Sequence, residues 1–152
     1  MSQSFAYYVG IDPGKTGAVA VLPKNPKGAA LLLPMSKTPK DLWEMFGLVK
    51  GITGGDQLVM LERVHSMPRD GVKSAFTFGK WVAYVEMALV GHGLLPLDTV
   101  TPQTWMSDLG CMTKGDKSVT QSKAQLLFPD MKVTKIHADA LLIAYYARKN
   151  SK

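Results

Sequence analysis

Three acidic residues sit where a folded chain needs a reason to keep a carboxylate. Asp12 closes the run Tyr7-Tyr8-Val9-Gly10-Ile11-Asp12, directly before the turn Pro13-Gly14-Lys15-Thr16-Gly17. In a strand, Tyr8, Gly10 and Asp12 share one face. The carboxyl end of a strand in an open α/β sheet is where ligands bind. An Asp ahead of Pro-Gly also suits a side chain that caps its own turn. Glu62 ends the apolar run Leu58-Val59-Met60-Leu61. A lone buried carboxylate is costly and needs a partner or a metal, and Arg63 next door points to the opposite face; an acid at the solvent rim of the strand is the other reading. Asp139 is followed by Leu142, Ile143 and Tyr146 at helical spacing. That puts it on the apolar stripe, although an Asp in a first turn also suits the helix dipole.

Brought together, the three would form a carboxylate cluster that binds through oxygen alone. Such a donor set suits Mg²⁺ or Mn²⁺. Two of these ions about 4 Å apart stabilise both the attacking water and the leaving oxygen of a phosphodiester. Asp12, Glu62 and Asp139 are therefore the expected metal ligands and catalytic acids.

The elements that must position them read as one α/β domain over 1–152. Residues 6–12, 18–22 and 29–33 alternate between short turns and form an antiparallel three-strand meander. Gly14 and Gly17, which permit positive φ, mark the first turn. A helix begins at Pro39 behind the cap Thr38 and ends at the glycines 51–55. Strands at 57–64 and 95–100 flank a long helix at 72–90. Two short helices, 102–109 and 118–128, precede a last helix at 137–149. The expectation is a mixed five-stranded sheet, the meander plus two parallel strands, flanked by helices.

Composition narrows the function. The chain has 152 residues, 46% hydrophobic and 20% charged, as expected of a globular domain with a full core. No apolar run approaches the roughly 20 residues of a membrane helix, so no membrane partner is expected. Met1-Ser2-Gln3-Ser4 carries no cationic-then-apolar leader, and the single cysteine, Cys111, makes neither an internal disulfide nor a cysteine-cluster zinc site. A cytoplasmic setting is expected. The net charge of +6, unevenly spread with eight basic residues against four acidic in 101–152 and the block 51–100 close to neutral, suits an anionic partner. Gly14-Lys15-Thr16 imitates the end of a phosphate-binding P-loop, but Val9 stands where that loop needs glycine, and Pro13 lacks an N–H. No nucleotide cofactor is expected.

Val9-Gly10-Ile11-Asp12-Pro13-Gly14-Lys15-Thr16-Gly17, Leu61-Glu62-Arg63-Val64 and His137-Ala138-Asp139-Ala140-Leu141-Leu142-Ile143-Ala144 resemble the RuvC-type Holliday junction resolvases, nearest to small phage or phage-like members. Ser74-Ala75-Phe76-Thr77-Phe78-Gly79 and Val100-Thr101-Pro102-Gln103-Thr104-Trp105 add to the resemblance, which spans about residues 5 to 148. It implies an RNase H-like fold. It also implies a homodimeric endonuclease that resolves four-way DNA junctions by paired, symmetric, metal-dependent nicks, with two ions per site. Many such proteins carry a fourth acid three residues before the position of Asp139; here that residue is Ile136. His137 is the expected substitute, as ligand or proton carrier. Two residues along a helix turn about 200°, so it joins Asp139 only if it precedes the first regular turn; otherwise it caps or packs locally.

DNA phosphates are expected to meet Lys114, Lys117 and Lys123 beside the metal site, with Lys15, Arg69, Lys73 and Lys80 around the turn and the loop after Glu62. A solvated helix face is the plain alternative for the lysines. In the loop after Glu62, His65, Met67 and Pro68 stand where similar proteins can wedge an aromatic against bases. The helix at 72–90, with Phe76, Phe78, Trp81 and Tyr84, is the expected dimer face, with the core as the other reading for Phe76, Phe78 and Trp81. Other readings remain at this stage: a broader branched-DNA or flap-cleaving nuclease, a junction-binding protein with a decayed site, and a sugar-kinase-like phosphate loop, which usually needs two domains and a longer chain.

Overall fold

The structure is a computed structural model and describes residues 3–65 and 70–151. The element order is β1 (Tyr7–Asp12), β2 (Ala18–Pro23), β3 (Leu31–Pro34), α1 (Pro39–Thr53), β4 (Gln57–Glu62), α2 (Val72–Gly91), β5 (Leu97–Val100), α3 (Pro102–Leu109), α4 (Lys117–Leu127) and α5 (Lys135–Asn150). The strands form one sheet in the order β3-β2-β1-β4-β5. The meander β3-β2-β1 is antiparallel, and β4 and β5 add to it in parallel.

Helix ends follow the sequence signals. Thr38 Oγ1 accepts from the Asp41 N–H (3.1 Å) at the start of α1, and Gly54 closes that helix in the left-handed region. Thr101 and Gly110 do the same for α3, and Asp116 caps α4 by accepting from the Ser118 N–H (2.9 Å). These caps satisfy backbone groups that a helix end leaves unpaired.

Alternation along the strands builds two cores. Val9, Ile11, Val19, Val21, Val59 and Leu61 pack under α1 and α2. Tyr8, Ala18, Ala20, Leu22, Leu58 and Met60 pack under α3, α4 and α5. The second core is organised around α5, whose residues 138–144 are all buried. Small side chains let it come close: a Cβ on Gly10 would overlap the Ala140 carbonyl oxygen and the Ala144 nitrogen. The helix backbone thus lies directly on β1, at the strand that ends in Asp12.

Several details differ from the sequence reading, β4 ending at Glu62 rather than Val64 and β5 beginning at Leu97 rather than Leu95 among them. The edge strand β3 begins at Leu31 rather than Ala29, because its pairing with β2 starts at Leu31 opposite Val21. Helix α5 begins at Lys135 rather than His137. Neither Gly14 nor Gly17 has a positive φ. Gly17 is needed for space instead, since a Cβ there would overlap the Asp12 carbonyl oxygen. No described helix is long and apolar enough to cross a membrane.

The contact at Gly10 is backbone on backbone, so no rotamer change can relieve it. Gly10→Ala should destabilise the fold by about 3 kcal/mol, the upper range for overpacking. Chemical denaturation measures this, and an unshifted midpoint would show that α5 does not depend on the close approach.

Candidate active site

Parallel pairing of β1 with β4 aligns Gly10 with Met60 and Ile11 with Leu61. Asp12 and Glu62 are the next residues on neighbouring strands, and both point to the α5 side by the same alternation. Asp139 reaches the same place from α5, carried in by the approach at Gly10. The three carboxylates are 8%, 7% and 6% exposed respectively.

Each is held differently. Asp12 Oδ1 accepts a long bond from the Gly14 N–H (3.4 Å), so the turn-capping role exists alongside any other. Glu62 Oε1 accepts from the indole N–H of the fully buried Trp105 (2.9 Å). Asp139 Oδ1 is buried with no hydrogen-bond partner, while its Oδ2 lies 3.3 Å from the Lys117 ammonium. The same ammonium lies 3.8 Å from Asp12 Oδ2. Lys117 is therefore an ion-pair partner of the acids, beyond the phosphate contact expected of it.

The electrostatics record the crowding. Burial pushes the Glu62 carboxyl up to about 7, and the charges of Asp12 and Asp139 add to the shift. Asp12 is also raised, first by burial, with Lys117 pulling the other way and Asp139 reinforcing the rise. Burial alone would lower the Lys117 ammonium, but the carboxylates of Asp139 and Asp12 outweigh it and the net direction is up. Three carboxyls facing one ammonium leave a deficit of positive charge.

The donor set fits a hard divalent cation: oxygen ligands only, one of them buried and unpartnered. As placed, no three His, Cys, Asp or Glu side chains among the described residues form a ready-made metal cage. Binding would have to draw the carboxylates inward and move the Lys117 ammonium aside.

The remaining expected residues are spread more widely. His137 is the third residue of α5, inside its first turn, so the condition for joining Asp139 is not met. Its Nδ1 pairs with Thr134 Oγ1 at 3.1 Å, and its Nε2 is buried without a partner. Lys15 lies over the Trp81 ring at 5.7 Å, and with Lys73 it lines a groove at the start of α2. Lys80 lies over the Tyr84 ring at 5.7 Å. Lys114 is exposed in the loop before α4, and Lys123 is half-buried within that helix. Arg69, Met67 and Pro68 lie outside the described residues; His65 is exposed. The sequence reading missed the Trp105 bond to Glu62. Its only signal was an indole in a capped helix, which names no partner.

No protein-family model and no curated protein matches the chain. Solved structures do. Thermus thermophilus RuvC superposes with a TM-score of 0.62 at 20% identity, covering 94% of this chain and 96% of that one. T. thermophilus RuvC in complex with Holliday junction substrate gives 0.64 at 19%, covering 94% and 95%. The yeast mitochondrial Holliday junction resolvase Ydc2 gives 0.54 at 12%, covering 93% and 77%. The chain has the RNase H-like fold of the RuvC-type resolvases.

A carboxyl raised on folding penalises the metal-free protein as pH climbs from the ordinary value near 4.5 through about 7. The penalty is absent below that window and complete above it. Glu62→Gln keeps an oxygen for Trp105, so at pH 8 without metal it should raise stability by up to about 3 kcal/mol. At pH 4 the gain should vanish. Denaturant titrations at the two pH values measure this, and an equal effect at both would show that Glu62 ionises normally.

Proposed function

We propose that the protein is a divalent-metal-dependent endonuclease that resolves four-way DNA junctions by paired nicks. The observation that carries the reading is the convergence of Asp12, Glu62 and Asp139 at the carboxyl end of the sheet, in a fold shared with RuvC-type resolvases. One of those neighbours is described in complex with a Holliday junction substrate. The basic balance of the chain agrees with a nucleic-acid partner.

Asp12, Glu62 and Asp139 would hold Mg²⁺ or Mn²⁺, two ions per site. Bound ions would supply activation of water and stabilisation of the leaving oxygen in phosphodiester hydrolysis. The chain contributes the rest. Trp105 fixes the orientation of Glu62, as outer partners of metal ligands do. The Gly14 N–H restrains Asp12. With a bound ion neutralising the carboxylates, the Lys117 ammonium would be free to turn toward solvent and meet phosphate oxygens beside Lys114.

Paired nicks need two sites, and the exposed apolar stripe on α2 would serve as the dimer face. Phe76 is 73% exposed and Met87 65%, with Val72 and Val90 also exposed along the helix. Of the two readings for Phe76, core or dimer contact, its exposure excludes the core, whereas Trp81 of the same helix is buried in the core. A two-fold dimer through this face would bury the stripe on both copies.

The test is a labelled synthetic junction incubated with Mg²⁺ or Mn²⁺, with plain duplex and a flap substrate alongside. Selective, paired cutting near the crossover is expected. Asp12→Asn, Glu62→Gln and Asp139→Asn should slow cutting by at least about a hundredfold while preserving binding, and Trp105→Phe by about tenfold. Phe76→Glu with Met87→Glu should yield a monomer in sedimentation that no longer pairs its cuts. Equal cutting of duplex would remove junction selectivity, preferred cutting of the flap would make this a debranching enzyme, and binding without cutting in either metal would make it a binding protein.

A further inference from the structure

Beside the three carboxylates, between α3 and the loop before α4, the surface opens into a cavity of about 260 Å³. Lys117 and Asp139 line it as well as the acid cluster. Whatever fills the cavity therefore lies next to the group that meets those acids. Its other walls have a different character. Met106 and Met112 give it apolar, polarisable surface, and Gln103 and Thr113 bring neutral hydrogen-bonding groups. Among its lining residues Lys117 is the one cation, and Asp12 and Asp139 already engage it. Apart from Lys117 and Asp139 the lining is uncharged, so the cavity offers a phosphate no counter-charge beyond the one ammonium beside the acids. A flat, uncharged ring matches the lining: thioethers pack against aromatic faces, and an amide with a hydroxyl can bond the edge of a base.

We propose that this cavity takes the nucleobase of one of the two nucleotides flanking the cut phosphate, drawn out of its stack. Gln103 reads its edge, and Met106 and Met112 cover its faces. The proposal rests on the nuclease reading above and adds to it a source of base preference at the cut. The cavity is built on fixed parts. Helix α3 is capped at both ends and tied to Glu62 through Trp105, two residues from Gln103. The loop bearing Met112 and Thr113 turns at Gly110 (φ 65°) and Gly115 (φ 95°), and Thr113 Oγ1 accepts from the Gly115 N–H at 2.9 Å. The Thr113 hydroxyl keeps its proton to donate. Extruding a base is least costly where pairing is already disturbed, as at a branch point.

The experiment uses four-way junctions carrying each base in turn at the two positions flanking the cut, assayed in Mg²⁺. Rates should differ by about tenfold among the bases at one of them, the discrimination of a good side-chain contact. Gln103→Ala and Met112→Ala, both at exposed positions, should bring the four rates together at that position alone. As a readout independent of cutting, 2-aminopurine there should brighten on binding to the Asp12→Asn protein, and stay dim when Met112→Ala is added. Equal rates for all bases, a preference untouched by both substitutions, or 2-aminopurine that stays quenched would overturn the base pocket and leave the nuclease reading standing. If the wild-type protein binds the junction without cutting it, the nuclease reading fails, and 2-aminopurine scanned across the crossover still decides whether a base enters. A junction that is not bound overturns both.

Discussion

Mutual repulsion among three buried carboxylates, opposed by a single ammonium, is the constraint around which this chain is arranged. Such a cluster is unfavourable in an isolated fold, because each charge is stripped of water and faces its like. The raised Asp12 and Glu62 show where that cost falls. Lys117 offsets part of it, and the Trp105 indole stabilises one ionised oxygen. Neither reaches Asp139 Oδ1, which stays buried and unpartnered. In the proposed function, a bound cation of matching hardness would remove the conflict.

The scaffold concentrates its packing on the same spot. Two of the acids end neighbouring strands, where alternation fixes their side without help from any turn. The third comes from a helix laid on β1 with glycine opposite alanine, so its position follows from backbone contact rather than from long, mobile side chains. Rigid elements carry all three carboxylates, which is what preorganised metal chemistry demands. The groups that meet DNA in the proposed function sit on the more open loop before α4 and along α2.

How far this could be read from sequence depended on whether a local rule applied. Strand alternation put Asp12 with Tyr8 and Gly10 and set Glu62 opposite Arg63, and the apolar stripe turned Asp139 inward, because periodicity is a property of the chain itself; that the acids share one face follows from the β1–β4 register, which no single strand encodes. The cap Thr38 and the glycines after α1 set the ends of that helix for the same reason. His137 was harder: its role hinged on where α5 starts, and a start two residues earlier put it inside the regular turn, beside Thr134. Gly17 was recognised as special for the wrong reason, since turn composition speaks of φ while the actual demand is space beside the Asp12 carbonyl. The Lys117 ion pairs and the Trp105 bond join residues far apart in sequence, and no spacing rule encodes them. The exposure of Phe76 likewise depends on what α2 leaves uncovered, which only the packed fold decides.

The central claim is that Asp12, Glu62 and Asp139 share a cation. Diffraction from crystals grown with Mn²⁺, using its anomalous signal, tests that directly. The account predicts manganese bound by oxygens of all three carboxylates, Asp139 Oδ1 among them, with the Lys117 ammonium withdrawn from Asp12 and Asp139. Manganese found only elsewhere on the protein, with Lys117 still bridging the two aspartates, would contradict it.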